Sequence, residues 1–233
     1  MSDDEIAKIH GYKYYHVQVD PFSDRYSTWK KPTVISSILK KHEVCVYIDV
    51  DAIFEHLDLP FEWLMNYWRL DSTQHSLALS FDPNFDWNRD RLGKLHLNTG
   101  FIVAQNTAKT FEIMNAWHNC PDVNGSHPEC AQFASKFPGK LTDQGAFGNH
   151  IRYDFPDDIR ELPCQEANGY PQSDTDCSGD FIRHYWTAKR TWIKLAVGKQ
   201  MPGDLLEVFH RLFVSEKASF LLSEQDLTAP AIL

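Results

Sequence analysis

Two carboxylates separated by one residue, Asp49-Val50-Asp51, stand at the end of the short apolar run Glu43-Val44-Cys45-Val46-Tyr47-Ile48. If the run is a strand, its side-chain period of two puts both carboxylates on one side, where they can hold a divalent cation that in turn binds a diphosphate. Two such groups repel unless a cation or a base sits between them. The competing reading of the same residues is a helix cap followed by a solvated loop acid. Far downstream, His184 closes the short run Phe181-Ile182-Arg183. At a strand end its neutral imidazole would be a third ligand beside Asp49 and Asp51. Alone, a histidine next to Tyr185 and Trp186 packs as core.

The surrounding pattern supplies the elements these residues need. The runs Glu43 to Ile48, Ser76 to Phe81 and Gly100 to Ala104 are apolar and end in polar residues, as buried strands do at a sheet edge. Helical patterns lie between and after them: Thr33 to Lys40, Phe61 to Leu70, Thr107 to Trp117, and Leu205 to Phe213 with Asp204 as its expected cap. Strands alternating with helices predict one α/β domain over residues 1–233, Rossmann-like, with a mostly parallel sheet flanked by helices. Ligands then bind beyond the carboxyl ends of the strands.

Composition narrows the partners. The 23 basic and 32 acidic residues leave a formal charge of -9, spread along the chain. That offers no footprint for a phosphate backbone, so nucleic acid is excluded as main partner. No stretch reaches the ~20 apolar residues of a bilayer span, and the acidic start Ser2-Asp3-Asp4-Glu5 is unlike a secretory signal, so the chain as given reads as soluble. Of five cysteines, Cys45 falls in an apolar run, while Cys120, Cys130, Cys164 and Cys177 fall in loop-like sequence where two disulfides are conceivable. With the sequon Asn124-Gly125-Ser126 they point toward a secretory lumen.

Five blocks in order give a more specific reading. Leu97-Asn98-Thr99-Gly100-Phe101-Ile102-Val103-Ala104-Gln105-Asn106 followed by Trp117, Thr142-Asp143-Gln144, and Phe181 to Trp186 with Lys189 resemble three blocks of retaining GT-A glycosyltransferases. His10-Gly11-Tyr12 and Trp29-Lys30-Lys31 are similar to elements of one branch, the galactosyl/α-mannosyltransferases of the fungal Golgi and the related plant xyloglucan xylosyltransferases. The resemblance spans residues from about 6 to 195 and implies a GT-A-like fold. It also implies a nucleotide-sugar donor (UDP- or GDP-linked), a glycan acceptor, a Mn2+ or Mg2+ cofactor and the Golgi lumen, at a membrane.

Each block then has an expected task. Asp49, Asp51 and His184 hold the cation. Asn98 hydrogen-bonds sugar hydroxyls, and Gly100 lets the backbone approach a sugar or turn sharply. Asp143 and Gln144 read equally as a helix cap pair or, by the resemblance, as the groups beneath the anomeric carbon. Lys31 reaches the donor sugar or the paired acids, or is a solvated helix-start lysine. Lys189 or Arg190 neutralises the departing diphosphate, the family spacing favouring position 190. Trp63, Trp68, Trp87, Trp117, Trp186 and Trp192 offer rings to an acceptor glycan, although Trp117 sits at core spacing from Ile113 and Met114.

Against the family pattern, the chain starts inside the helix carrying His10-Gly11-Tyr12, so an N-terminal anchor and the first nucleotide-binding strand are expected to be missing. Such a truncated sheet predicts exposed apolar surface and, with it, reduced stability or self-association. Two other functions stay open. A haloacid-dehalogenase-type phosphatase would use Asp49 as nucleophile, Ser80 as its second motif and Asp157-Asp158 as its metal pair. A non-catalytic subunit would associate with a homologous glycosyltransferase.

Overall fold

The computed structural model describes residues 2–122, 125–134, 142–172, 175–200 and 203–228. In chain order the elements are α1 (Ser2–His10), β1 (His16–Gln18), α2 (Lys31–Leu39), β2 (Val44–Ile48), β3 (Ala52–Phe54), α3 (Phe61–Tyr67), β4 (Leu77–Phe81), β5 (Leu97–Gln105) and α4 (Ala108–Asn119). There follow α5 (Asp143–Ala146), α6 (Arg152–Asp154), β6 (Ile159–Leu162), α7 (Cys164–Ala167), β7 (Ile182–His184), α8 (Lys189–Gln200), α9 (Gly203–Phe220), β8 (Leu221–Ser223) and α10 (Glu224–Thr228).

The three apolar runs form the central strands. Their sheet has the order β2-β5-β4-β6. β5 runs antiparallel to both β2 and β4, while β4 and β6 are parallel. β2, β4 and β6 therefore share one direction, as a mostly parallel sheet requires, but two of the three pairings are antiparallel because β5 is inserted between them. The physical reason is the connection from Asp82 to His96. It holds a 3-10 turn (Asp86–Asn88) and an Arg89–Leu95 bridge instead of a crossover helix, so the chain turns back at the edge where β4 ends.

β5 is buried along its whole length, and the period of two divides its side chains between two cores. Ile102 and Ala104, with Leu77 and Leu79 of β4, pack with Ile35, Leu39, Ile113, Met114 and Trp117 from α2 and α4. Phe101 and Val103, with Ala78, pack on the opposite face with Phe54, Phe61, Leu64 and Trp68. The sheet is thus sandwiched, which is why its strands read as continuous apolar runs.

Two local features matter for the site. Pairing slips between Leu79 and Ser80, whose partners on β5 are Ile102 and Asn98, so Thr99, Gly100 and Phe101 form a bulge. Disulfides Cys120–Cys130 and Cys164–Cys177 pair the four loop cysteines, and Cys45 is a buried free thiol. α4 begins at Ala108, one residue after the start of the expected helical pattern, because Thr107 is its cap, its hydroxyl accepting from Thr110 N. Asp204 lies inside α9 instead of preceding it, because that helix starts two residues earlier than expected, at Gly203, and runs on to Phe220. Asn124 of the sequon lies outside the described residues.

Candidate active site

The carboxyl ends of β2, β4 and β6 and the amino end of β5 meet at one sheet edge, and the residues singled out above gather there. β2 stops at Ile48, and Ala52 N donates to Asp49 O at 2.9 Å, closing a turn. The two carboxylates therefore converge through that turn and not, as the period of two implied, along a strand; Val50 between them is 80% exposed. β3 leaves the turn and pairs antiparallel with β7, Ala52 opposite His184. Ligand atoms of Asp49, Asp51 and His184 consequently lie within 4.8 Å of one another.

The tautomer of His184 follows from its neighbours. Asn168 uses its amide nitrogen to donate to Phe81 O at 3.1 Å and Asp82 Oδ1 at 3.3 Å. Its Oδ1 is left to accept from His184 Nδ1 at 2.9 Å. With the proton on Nδ1, Nε2 presents a lone pair 3.2 Å from Asp51 Oδ1 and 4.0 Å from Asp49 Oδ2. A lone pair facing two carboxylates is satisfied by a cation between them or by a proton. The ligand atoms of Asp49, Asp51 and His184 are therefore placed so that they could hold a divalent cation.

Two lysines flank these acids. Lys189, first residue of α8, donates to Asp51 Oδ2 at 2.8 Å, with its side chain half exposed. Arg190 is exposed and, among the described residues, forms no ion pair with the cluster. Burial pushes the Asp51 carboxyl up, but a proton on His184 Nε2, in the place a cation would take, and the Lys189 ammonium together outweigh it and hold that carboxyl well below the usual range.

Lys31 is not a solvated lysine. It is buried at the start of α2 and donates to Thr99 O at 3.0 Å and Thr99 Oγ1 at 3.2 Å. It also lies 3.4 Å from Asp49 and 3.5 Å from Asp143 Oδ2. Burial lowers its pKa, but the charges of Asp143 and Asp49 win and raise it, so the ammonium stays charged. Asp143 is equally buried, accepts from Thr99 Oγ1 at 3.2 Å, and has its backbone carbonyl held by Trp117 Nε1 at 2.9 Å. Its carboxylate thus belongs to Lys31 and Thr99, not to a helix cap.

The remaining expected donor residues are arranged around Asp82. This buried carboxylate accepts from Asn98 Nδ2 at 2.8 Å and from Gln144 Nε2 at 2.9 Å, besides Asn168. Burial raises its pKa in spite of these donors. Asn98 also accepts from Gly100 N at 2.7 Å, and Gln144 accepts from Thr99 N at 3.3 Å. Both amides are engaged within the protein, so Asn98 acts here as a brace. At Gly100 a Cβ would lie 2.3 Å from His184 Cε1, so the missing side chain makes room for the imidazole.

Asp82, Thr99, Asn168 and Tyr47, whose hydroxyl donates to Asp49 Oδ1 at 2.6 Å, had no role assigned from sequence. Asp82 carried a usable signal, since it ends β4 as Asp49 ends β2. Asn168 carried none. Of the tryptophans, Trp117 and Trp68 are core, Trp186 lies edge-on to His184 with ring centroids 5.3 Å apart, and Trp87 is 66% exposed and stacked on Phe85.

The phosphatase arrangement does not assemble. Ser80 is fully buried, and its hydroxyl donates to the carbonyls of Leu162 and Pro163. Asp158 holds Ser76 N and Leu77 N at the far end of β4, about 15 Å along the strand from the Asp82 end.

No protein-family model and no curated protein matches the chain. Among solved structures it matches a glycosyltransferase involved in the glycosylation of the major capsid of PBCV-1, with a TM-score of 0.60, 14% identity, and coverage of 84% of this chain and 88% of that one. Mouse xyloside xylosyltransferase 1 in its apo form gives a TM-score of 0.44 at 13% identity, covering 81% of this chain and 73% of that one. The first likeness is one of fold, and it shows that the chain has the GT-A-like α/β fold its motifs led one to expect.

Proposed function

We propose that this chain is a divalent-metal-dependent, retaining glycosyltransferase that moves a hexosyl unit, galactose or mannose, from a UDP- or GDP-sugar to a glycan hydroxyl. The observation that carries the reading is the convergence of Asp49, Asp51 and His184 beside the Lys189 ammonium, at the carboxyl edge of a sheet whose fold is that of a solved glycosyltransferase. When bound, Mn2+ or Mg2+ would hold the donor diphosphate and offset its charge. Lys189, half exposed and already paired with an acid, supplies a second positive charge where the leaving group gains its negative charge. Asp143 and Gln144 form the floor beneath the transferring sugar, their positions fixed by Lys31, Thr99 and Asp82. Trp186 and Trp87 offer ring faces to the acceptor. The two disulfides suit an oxidising compartment such as the Golgi lumen, and no described helix is long and apolar enough to cross a membrane.

The test is a thermal shift of the purified chain with UDP, GDP and their sugars, with and without Mn2+, alongside Asp49→Ala. At 100 times its dissociation constant a ligand stabilises by about 2.7 kcal/mol, a shift of roughly 5–10 °C at this size. A Mn2+-dependent shift with one nucleotide, lost in the variant, supports the reading and names the base. No shift with any donor from a folded sample overturns it.

A further inference from the structure

The described residues hold a second group of metal-ligating side chains, on a different part of the molecule. His127, Glu129 and His150 each bring a ligand atom within 4.8 Å of the others. His127 precedes the 3-10 turn Pro128–Phe133, and Pro128 at its first position directs the chain so that His127 and Glu129 flank it. His150 lies in the π-helical turn Phe147–Ile151 that continues α5. The two imidazoles face each other with ring centroids 4.8 Å apart.

Two independent observations give this group the character of a ligand site. His150 is 2% exposed, and among the described residues its Nδ1 finds no hydrogen-bond partner. A buried, unpaired ring nitrogen is costly unless something binds it. His127 Nε2 donates to Asp154 Oδ2 at 2.6 Å, which fixes the tautomer and leaves Nδ1 with its lone pair. A carboxylate behind a histidine is the usual outer shell of a metal-bound imidazole. Glu129 and His150 also line a cavity of about 310 Å³, together with Arg89, Arg91 and His96, which provides an entry path and space for a water in an open position.

We propose that His127, Glu129 and His150 bind a zinc-class divalent transition-metal ion, with Asp154 positioning His127. Two imidazoles and one carboxylate are the donor set such an ion takes in a tetrahedral site with one position open, whereas an oxygen-preferring ion suits Asp49 and Asp51 better. The bound ion ties the segment carrying the Cys120–Cys130 disulfide to the helical stretch that begins at Asp143. It is a clasp on the element that presents Asp143 and Gln144.

The experiment uses the full chain, stripped with EDTA and saturated with Mg2+, then titrated calorimetrically with Zn2+ and followed with Co2+ by visible absorption. One equivalent of Zn2+ is expected to bind, with a tetrahedral Co2+ spectrum, and it is expected to persist in Asp49→Asn/Asp51→Asn. Glu129→Gln, which alters an exposed side chain, and His127→Ala should each weaken Zn2+ by more than about 10-fold, and Asp154→Asn by about 10-fold. Melting of the metal-free Glu129→Gln protein at the wild-type temperature separates lost ligation from lost folding. Absence of the equivalent in the wild type, or its retention at full affinity in Glu129→Gln and His127→Ala, overturns the proposal.

Discussion

Gly100 and His184 occupy space that only one side chain can fill: a Cβ on residue 100 would stand 2.3 Å from Cε1 and 2.9 Å from Nδ1 of the imidazole. The bulge in β5 brings the Gly100 backbone against the Cε1–Nδ1 edge of the ring, and Asn168 Oδ1 accepts from the same Nδ1. Gly100→Ala must therefore displace His184, withdrawing one of the three proposed ligands. Mn2+ affinity is expected to fall about 10- to 100-fold, measured by calorimetry, while the chain still folds. Wild-type Mn2+ affinity in Gly100→Ala would show that His184 is not a ligand.

Lys189 and Arg190 are neighbours in sequence with separate surroundings. Only Lys189 reaches the Asp51 carboxylate. Lys189→Ala is expected to lower turnover of the accepted nucleotide sugar by about 10²- to 10³-fold, the range for removing one group that stabilises developing charge. Arg190→Ala should stay within about 2-fold, as for an exposed substitution. The reverse ranking in steady-state kinetics would move the leaving-group role to Arg190.

Lys31 joins two acids that belong to different elements, Asp49 after β2 and Asp143 at the start of α5. Lys31→Met leaves the buried Asp143 and the half-buried Asp49 without their shared partner, which costs about 3–5 kcal/mol. Denaturant unfolding should show that loss, and adding Asp143→Asn should recover part of it, since one of the two charges is then gone. A cost below about 1 kcal/mol for Lys31→Met would mean that the acids are paired elsewhere.

The strands that carry the site were legible because burial on both faces leaves uninterrupted apolar runs, and Asp49, Asp51 and His184 were legible because each ends such a run. The direction of β5 was not: an antiparallel central strand and a parallel one bury the same Phe101, Ile102 and Val103, and only the connection from Asp82 to His96 distinguishes them. Residue roles were less legible than residue identities. Asn98, Gln144 and Gly100 sit at the expected edge, yet their partners are Asp82, Thr99 and His184, all set by tertiary contacts between segments far apart in sequence. Asn168 lies in a short loop bracketed by Cys164 and Cys177, where nothing in its neighbours announces that it fixes an imidazole tautomer.

Glu5 gives a pH dependence that can be read without any ligand. The residue is 1% exposed in α1, and among the described residues its two carboxylate oxygens find no hydrogen-bond partner. Burial raises its pKa from the ordinary 4.5 to about 7, so the folded state favours the protonated acid. Below pH 4.5 the group is neutral in both states, so its ionisation adds no penalty. From there to pH 7 the unfolded chain has released its proton while the folded chain keeps it, so stability falls as pH rises. Above pH 7 the penalty is constant, at about 1–3 kcal/mol. Glu5→Gln removes the titration, so the variant should match the wild type near pH 4.5 and exceed it by that amount at pH 8. Stability curves from urea unfolding that run parallel across this range would mean that Glu5 is charged and solvated in the folded protein.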